Sequence, residues 1–263
     1  MTRWFLAATA RGALAALLTL AASLPASAGW KVEELTPLGT LPKGGSVVQA
    51  QLSDGRLSAR VTAILFQAHS YTLRVVECPV PGSTKIAGAL DAAGCVAGVN
   101  GGYFQPDFRP VGLAVVDGRE VHAFETAKLL SGVLAVRGGG IEIVRSSEFK
   151  SSGDVRQAIQ CGPMLLEKSK PTAGLNAERP ARRTVVATDG RGRWALLYLT
   201  SVTLADAARI LAAPGLLVGW APATALNLDG GSSSGLWAAC EPARVSLPEF
   251  GHVRNSIGIA PKQ

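Results

Sequence analysis

The feature that most constrains this chain is a recurring pattern of two apolar, β-branched runs joined by a short glycine turn. One such pair, Gly112–Val116 and Glu120–Phe124, flanks Asp117-Gly118, a dipeptide typical of tight β-hairpins. Further strand-like runs are Leu57–Phe66, Tyr71–Glu77, Val133–Val136 with Ile141–Val144, and Thr184–Thr188 with Trp194–Thr200. Because hairpins pair antiparallel strands, the pattern predicts a fold built mainly from antiparallel sheet.

Helical patterns are few. Thr84 is placed to cap a short helix that ends near Gly94, and Thr203 with Asp206 resembles a capping box. The second helix is predicted to end near Ala213, before Pro214. With no clear linker or repeat, we predict an α+β fold for residues 29–263: a single domain dominated by antiparallel or mixed β-sheet with a few helices.

The first 28 residues have the pattern of a secretory signal peptide. Arg3 and Arg11 precede an apolar run, Ala13–Leu24, and Ala26-Ser27-Ala28 offers a small-residue cleavage site. The alternative is an uncleaved membrane anchor, but the run is short of the roughly 20 residues that a span requires. We therefore predict an exported, periplasmic or secreted protein with no stable membrane insertion after cleavage.

Composition narrows the function classes. The chain has 263 residues, of which 48% are hydrophobic and 17% charged, and this balance argues against disorder. Its net charge of +7 is spread along the chain without a basic cluster or interleaved aromatic residues, and two of the positive charges lie in the signal segment. Nucleic acid is therefore not predicted as a partner, whereas an anionic substrate is compatible with the charge.

Export would make disulfide bonds available to the four cysteines. Of the three possible pairings, we favour Cys78–Cys95, which closes a local loop, and Cys161–Cys240, which ties two glycine-rich segments together. Buried free thiols are the alternative. The sequence has no C-x-x-C motif or histidine cluster of the kind that binds zinc.

Two apolar strands are each followed by a polar Asn or Asp residue and then by two glycines. Val96–Val99 runs into Asn100-Gly101-Gly102, and Ala225–Leu228 runs into Asp229-Gly230-Gly231-Ser232. Paired glycines allow backbone N–H groups to approach a ligand closely, and a carboxylate at the rim of a core can have a controlled pKa. The alternative for each motif is an ordinary turn, which Asn-Gly and Asp-Gly also favour.

A serine nucleophile is a second interpretation of the same region. Gly231-Ser232-Ser233-Ser234-Gly235 fits the G-x-S-x-G nucleophile elbow, and Glu241 or Glu249 and then His252 follow in the order of that hydrolase fold. However, the elbow opens into a helix, and Gly235-Leu236-Trp237 is not helical in pattern.

Several motifs occur in an order that resembles one enzyme family, the phosphodiester glycosidases, between about Val96 and Ile259. These motifs are Asn100-Gly101-Gly102-Tyr103-Phe104, Gly162-Pro163-Met164-Leu165, Arg183-Thr184, the Leu204–Leu211 helix, Asn227-Leu228-Asp229-Gly230-Gly231-Ser232-Ser233 and Arg254-Asn255-Ser256-Ile257-Gly258. The resemblance implies hydrolysis of the glycosidic bond of a sugar-1-phosphodiester in an envelope or extracellular glycan.

The resemblance also implies roles for individual residues. Asp229 is the predicted carboxylate, acting as nucleophile or as base for water, and Asn100 is predicted to bind sugar hydroxyls or phosphate oxygens. The other predicted contacts to the phosphorylated glycan are backbone N–H groups of Gly101, Gly102, Gly230 and Gly231, the guanidinium of Arg183, the hydroxyl of Ser232, and, as weaker candidates, Arg254 and Asn255. Arg182, next to Arg183, is interpreted as a solvated surface charge.

No cofactor is predicted. A divalent cation at Asp229 stays open as an alternative, although no cluster of ligand side chains supports one. Two other functions also stay open: a serine hydrolase that uses Ser233, and a non-catalytic module that binds glycan or phosphate.

Overall fold

The structure, a computed structural model, describes Met1 and residues 29–262. Apart from Met1, the predicted signal peptide lies outside the described residues. The strands in chain order are β1 (Lys31–Thr40), β2 (Ser46–Ser53), β3 (Ser58–Gln67), β4 (Tyr71–Glu77), β5 (Ala97–Asn100), β6 (Ala114–Val116), β7 (Arg119–His122), β8 (Gly132–Arg137), β9 (Gly140–Arg145), β10 (Val155–Cys161), β11 (Met164–Glu167), β12 (Lys170–Pro171), β13 (Ala181–Thr188), β14 (Arg193–Val202), β15 (Thr224–Asn227), β16 (Leu236–Ala238), β17 (Val245–Leu247) and β18 (Asn255–Pro261). The helices are α1 (Ile86–Ala92) and α2 (Leu204–Leu211), with 3-10 turns at Pro42–Gly44 and Gly231–Ser233.

These strands form three sheets. The largest has eight strands in the order β1-β2-β3-β14-β13-β15-β11-β12, and the two others have five each, β7-β6-β10-β8-β9 and β17-β16-β5-β18-β4. Every pairing between named strands in the described part of the chain is antiparallel. The predicted α+β fold with few helices and mainly antiparallel sheet is confirmed.

The main hydrophobic core lies where one face of the eight-stranded sheet meets the two smaller sheets. Along β14, Leu196 faces this core, while Leu197 faces a second core beneath α2. Successive strand residues point to opposite faces, so a strand covered on both sides must be apolar throughout. This explains the continuous apolar run in β14.

The two predicted helices are present, but only one of the predicted caps is. Thr203 Oγ1 accepts a hydrogen bond from the Asp206 N–H at 3.0 Å, as the capping box requires. Thr84 does not cap α1: the Ile86 N–H donates instead to Glu249 Oε1 at 3.2 Å, from a distant part of the sequence. Within residues 29–262, no helix is long and apolar enough to cross a membrane.

The predicted hairpins are confirmed as β6–β7, β8–β9 and β13–β14. The two runs before them become β3 and β4, which follow each other in the chain but lie in different sheets. The chain therefore passes from the large sheet to a small one directly after β3.

The disulfide prediction is wrong for this structure, in which all four cysteines are free and buried. Each thiol packs in its own environment: Cys95 Sγ lies against Gly258 in β18, and Cys240 Sγ donates a hydrogen bond to the Ala243 carbonyl at 3.1 Å. Burial raises the pKa of the Cys78 thiol and raises that of Cys95 to about 11. The alternative, buried thiols, is what the structure shows.

Candidate active site

The two glycine-rich strand ends meet. β5 ends at Asn100 and β15 at Asn227, and the Asp229 N–H donates to the Gly101 carbonyl at 3.0 Å. One residue earlier, the Leu228 N–H donates to the Thr184 carbonyl of β13 at 2.8 Å. Asp229 is thus held by main-chain bonds to two different sheets, which fixes where its carboxyl group lies.

Asn100 is fully buried, and both ends of its amide are occupied by protein groups. Its Nδ2 donates to the Asp229 carbonyl at 2.8 Å, while its Oδ1 accepts from Thr184 Oγ1 at 2.6 Å and from the Gly235 N–H at 3.2 Å. The direct substrate contact predicted for Asn100 is therefore replaced by a positioning role, because its side chain fastens the Asp229 loop to its neighbours.

Gly101 and Gly102 also contact protein. Their N–H groups donate to the carbonyl and to the side-chain Oδ1 of Asn255, each at 2.8 Å. A Cβ at Gly101 would overlap Asn255 Oδ1, so only glycine fits there. The predicted ligand-binding role of these two N–H groups, and of Asn255, is not what the geometry provides: the three residues join β5 to β18.

The environment of Asp229 sets its proton affinity. Burial raises the pKa of Asp229 to about 6, while the nearby Ser233 hydroxyl and the Gly230 N–H oppose the rise. The Gly230 bond reaches Oδ1 at 2.8 Å. A carboxyl group with this pKa changes charge near neutral pH, which suits a group that accepts protons during a reaction.

The loop after Asp229 offers main-chain donors. Gly231 has φ +65°, and nothing would lie within 4 Å of a Cβ built on it. The N–H groups of Gly231 and the exposed Ser232 donate to no acceptor within the described part of the chain. Gly230 is different, because its N–H is bound to Asp229 and its Cα packs above the Arg182 carbonyl.

Arg183 lies beside this loop. Its Nε donates to the Val202 carbonyl at 3.1 Å and its Nη2 to the Arg179 carbonyl at 2.6 Å, while a Cβ built on Gly230 would lie 3.8 Å from its Nη1. No carboxylate within residues 29–262 forms an ion pair with it. A half-buried guanidinium without a carboxylate partner is suited to bind an anionic ligand.

Two residues that the sequence analysis did not single out for a role also belong to this site. The Tyr103 hydroxyl donates to the Gly162 carbonyl at 2.6 Å and accepts from Asn227 Nδ2 at 3.0 Å. Burial, together with the charges of Cys161 and Asp229, raises the pKa of Tyr103 well above its usual value. The tyrosine in Asn100-Gly101-Gly102-Tyr103 was a visible signal, but its partners come from distant strands.

Arg254 does not reach the loop. It is buried, and its Nη2 donates to Glu77 Oε1 at 3.0 Å, while Arg119 binds the other oxygen of the same carboxylate at 2.7 Å. The structure therefore places this weaker candidate in an ion pair at the end of β4.

The serine elbow is not formed. Ser233 ends a 3-10 turn, Gly231–Ser233, and its hydroxyl donates to the main-chain carbonyl of His252 at 3.3 Å. The His252 ring packs edge-on against Phe108 instead, with ring centroids 6.3 Å apart. The candidate acid Glu249 is bound to the start of α1. No Ser-His-acid arrangement exists among these residues.

The candidate site is distinct from a metal centre and from a cavity elsewhere in the described fold. In the described ranges, no group of three or more His, Cys, Asp or Glu side chains could hold a metal ion. A cavity of about 330 Å³ lies between the 124–131 segment and residues 145–147, and none of the predicted site residues lines it. The chemistry-bearing residues surround the open Gly231 loop instead.

Fold and site together define a class of protein: a mostly-β α+β fold whose sheets hold a partly buried carboxyl group of raised pKa beside free backbone amides and a guanidinium with no carboxylate partner in the described part of the chain. The family model of the phosphodiester glycosidases matches residues 93–260, more than half of the chain. The chain belongs to the phosphodiester glycosidase family, and the resemblance stated from its motifs is confirmed.

Solved structures share this fold. The catalytic domain of zebrafish N-acetylglucosamine-1-phosphodiester alpha-N-acetylglucosaminidase, auto-inhibited by its pro-peptide, matches with a TM-score of 0.62 at 16% identity, over 89% of each chain. A hypothetical protein from Synechocystis matches with a TM-score of 0.63 at 14% identity, over 84% of this chain and 62% of that one. At these identities the likeness concerns the fold alone.

A curated relative is more similar in sequence over a shorter stretch. The uncharacterized protein YigE of Escherichia coli (strain K12) is 34% identical over 76 residues, which is 26% of this chain. The match spans 30% of the length of that protein.

Proposed function

We propose that this protein is an exported hydrolase that cleaves the glycosidic bond of a sugar-1-phosphodiester in an envelope or extracellular glycan. The observation that carries the proposal is the Asp229 carboxyl group, whose pKa is raised to about 6 on a loop fixed by main-chain bonds. Membership of the phosphodiester glycosidase family supplies the reaction class.

The proposed reaction requires a carboxylate, and it depends less on a general acid to protonate the leaving group. The bond between the anomeric carbon and the phosphate oxygen breaks, and its electron pair leaves on the phosphate monoester. Phosphate is a good leaving group, so protonation matters less than for a sugar alcohol. An oxygen, from water activated by Asp229 or from Asp229 itself, forms the new bond to the anomeric carbon. In the first case the water proton passes to the Asp229 carboxylate; in the second, water then hydrolyses the glycosyl-enzyme.

The neighbouring groups have matching roles. Arg183 Nη1 and the free N–H groups of Gly231 and Ser232 are the donors proposed to hold the phosphate. Asn100 fixes the Asp229 main chain, so its contribution is geometric. These donors would place an anion beside a carboxyl group that is half-ionised near pH 6.

The first test is the substitution Asp229→Asn. It preserves the shape of the side chain and can still accept the Gly230 hydrogen bond, but it can neither attack carbon nor accept a proton from water. We expect the hydrolysis of N-acetylglucosamine-1-phosphate methyl diester to fall by roughly 10²–10⁴-fold. Release of the free sugar is the measurement, with circular dichroism to verify the fold.

Asp91→Asn is the matched control, because Asp91 is exposed on α1, away from the loop. The control should hydrolyse the substrate at the unsubstituted rate. Equal turnover by both variants would remove Asp229 from the reaction. Tight binding of the diester by the unsubstituted protein without any sugar release would instead favour a non-catalytic glycan-binding module.

A further inference from the structure

Arg182 and Phe250 also lie beside this loop. The Arg182 guanidinium carbon lies 4.1 Å from the centroid of the Phe250 ring, a stacked cation–π contact. Both residues are anchored to the loop by their main chains: the Arg182 carbonyl lies beneath Gly230, and the Phe250 N–H donates to the Ser232 carbonyl at 2.8 Å. The pair therefore has a fixed position relative to Asp229.

The stacked guanidinium keeps its hydrogen-bonding edge free. Over residues 29–262, the Arg182 side chain has no hydrogen bond and no ion pair. Stacking occupies only the face of the planar group, so its N–H donors still point outward in the ring plane. The aromatic platform also lowers the entropy that an arginine side chain loses when it binds a ligand.

The Phe250 ring is not part of a hydrophobic core cluster in the described structure. Its side chain is 77% exposed, the largest exposed fraction among the big apolar residues of the 29–262 range. The ring contributes little to the core, yet its main chain is bound to the active-site loop. A ring held this way gives the guanidinium a platform and offers its own surface to a ligand.

Arg182 and Arg183 are consecutive on β13, at a register irregularity between Ala181 and Arg183, and their side chains contact different groups: Arg182 stacks on Phe250, whereas Arg183 donates to main-chain carbonyls. Two donor groups of Arg183 are already bound to protein carbonyls, whereas Arg182 has all of its donors available. The two guanidiniums thus offer two separate anion contacts, one beside Gly230 and one beyond Ser232, where Phe250 is tethered.

We propose that Arg182, held on Phe250, binds a second anionic group on the aglycone side of the scissile phosphodiester. This inference rests on the proposed function, in which Asp229 faces the anomeric carbon and Arg183 the adjacent phosphate. The part of the substrate beyond that phosphate then passes Ser232 and meets the Arg182–Phe250 pair. The preferred substrate class is therefore a sugar linked through a diphosphate, rather than through a single phosphate with a neutral aglycone.

The test compares two substrates that differ by one phosphate: the methyl esters of N-acetylglucosamine-1-phosphate and of N-acetylglucosamine-1-diphosphate. We expect the unsubstituted protein to have the higher kcat/KM for the diphosphate. Arg182→Gln should lower the ratio of the two kcat/KM values by about 10-fold or more, the effect of one charge-assisted hydrogen-bonded contact. Phe250→Leu keeps the charge but removes the platform, and should lower the ratio by less.

Arg191→Gln is the control, since Arg191 is an exposed arginine in the turn between β13 and β14. It should leave the ratio unchanged, which separates a local contact from a change in overall charge. If Arg182→Gln leaves the ratio unchanged while both esters are hydrolysed, the inference is overturned and the proposed function stands.

A binding measurement distinguishes failure of the proposed function from failure of the proposed second anion contact. If the unsubstituted protein hydrolyses neither ester, the proposed function fails, and calorimetry then measures the binding of both esters to it and to its Arg182→Gln variant. Tighter binding of the diphosphate that is lost in Arg182→Gln supports the second anion contact. Equal binding of both esters by the two proteins overturns it.

Discussion

The ionised carboxylate of Asp229 lowers the stability of the fold, and the proposed reaction requires this same ionised form. The folded protein holds its proton more tightly than an ordinary carboxyl group does, because burial disfavours the charge. Stability from this source is complete below the ordinary value of 3.8 and is lost as the pH rises through about 6. Above pH 6 the fold therefore carries a partly buried negative charge that destabilises it and that the proposed reaction uses.

Asp229→Asn should consequently stabilise the protein in a pH-dependent way. At pH 8 we expect its free energy of unfolding to exceed that of the unsubstituted protein by up to about 3 kcal/mol, and at pH 4 the two should be nearly equal. Urea unfolding at the two pH values gives the difference. A gain of equal size at both would show that ionisation of Asp229 is not its source, and Asp91→Asn should show no gain at either pH.

At the same scale, the sequence predicts that Asp229 and Asn100 belong to one site, and the structure brings them together, but the Asn100 amide is bonded to protein groups where a substrate contact was predicted. A lone Asn-Gly-Gly motif contains no information about Thr184 and Gly235, which occupy its amide oxygen only once three strands have assembled. The contact of Arg182 with Phe250 could not be predicted for a similar reason, because Phe250 lies far along the chain. Residue identity is predicted from local patterns, whereas the role of a side chain depends on its non-local contacts.

Elements whose partners are close in sequence were predicted best. The β6–β7, β8–β9 and β13–β14 hairpins are confirmed because each turn and its strands are adjacent. The cap of α1 could not be predicted, since the acceptor at Ile86 is Glu249, 163 residues away. Local sequence patterns likewise could not predict the sheet to which each strand belongs, because most sheets join strands that are distant in sequence.

The junction between β5 and β18 gives a test at the scale of elements. Gly101→Ala would drive a Cβ into Asn255, and we expect it to lower the free energy of unfolding by about 1–3 kcal/mol or more and to displace the Asp229 loop. Thermal unfolding and turnover are both measured. Gly153→Ala is the control, because a Cβ there meets nothing within 4 Å and the position is exposed.

Identical losses in Gly101→Ala and Gly153→Ala would argue that close packing at this junction is unimportant. A stable Gly101→Ala protein with reduced turnover would instead show that the junction acts on the loop geometry without limiting the fold.

At the scale of the whole molecule, export of the protein is a prediction that stays to be tested. The segment 1–28 predicts cleavage between Ala28 and Gly29, and β1 begins two residues after Gly29, at Lys31. Expressed with residues 1–28 in a bacterial host, the protein should be recovered from the periplasm or medium with Gly29 at its N-terminus. Cell fractionation and N-terminal sequencing measure this.

A version that lacks residues 2–28 is the control and should stay in the cytoplasm, where the four buried thiols are compatible with the reducing conditions. Recovery of the full-length chain in the membrane fraction, uncleaved, would favour the membrane-anchor alternative.

The order of synthesis matters for this fold. β18 lies between β5 and β4, and its first residue, Asn255, holds Gly101 and Gly102 in place. A ribosome makes β4 and β5 long before β18, so this sheet can be completed only after residues 255–261 have been made. A chain that lacks these residues would leave β4 and β5 without the strand between them, and the N–H groups of Gly101 and Gly102 without their acceptors.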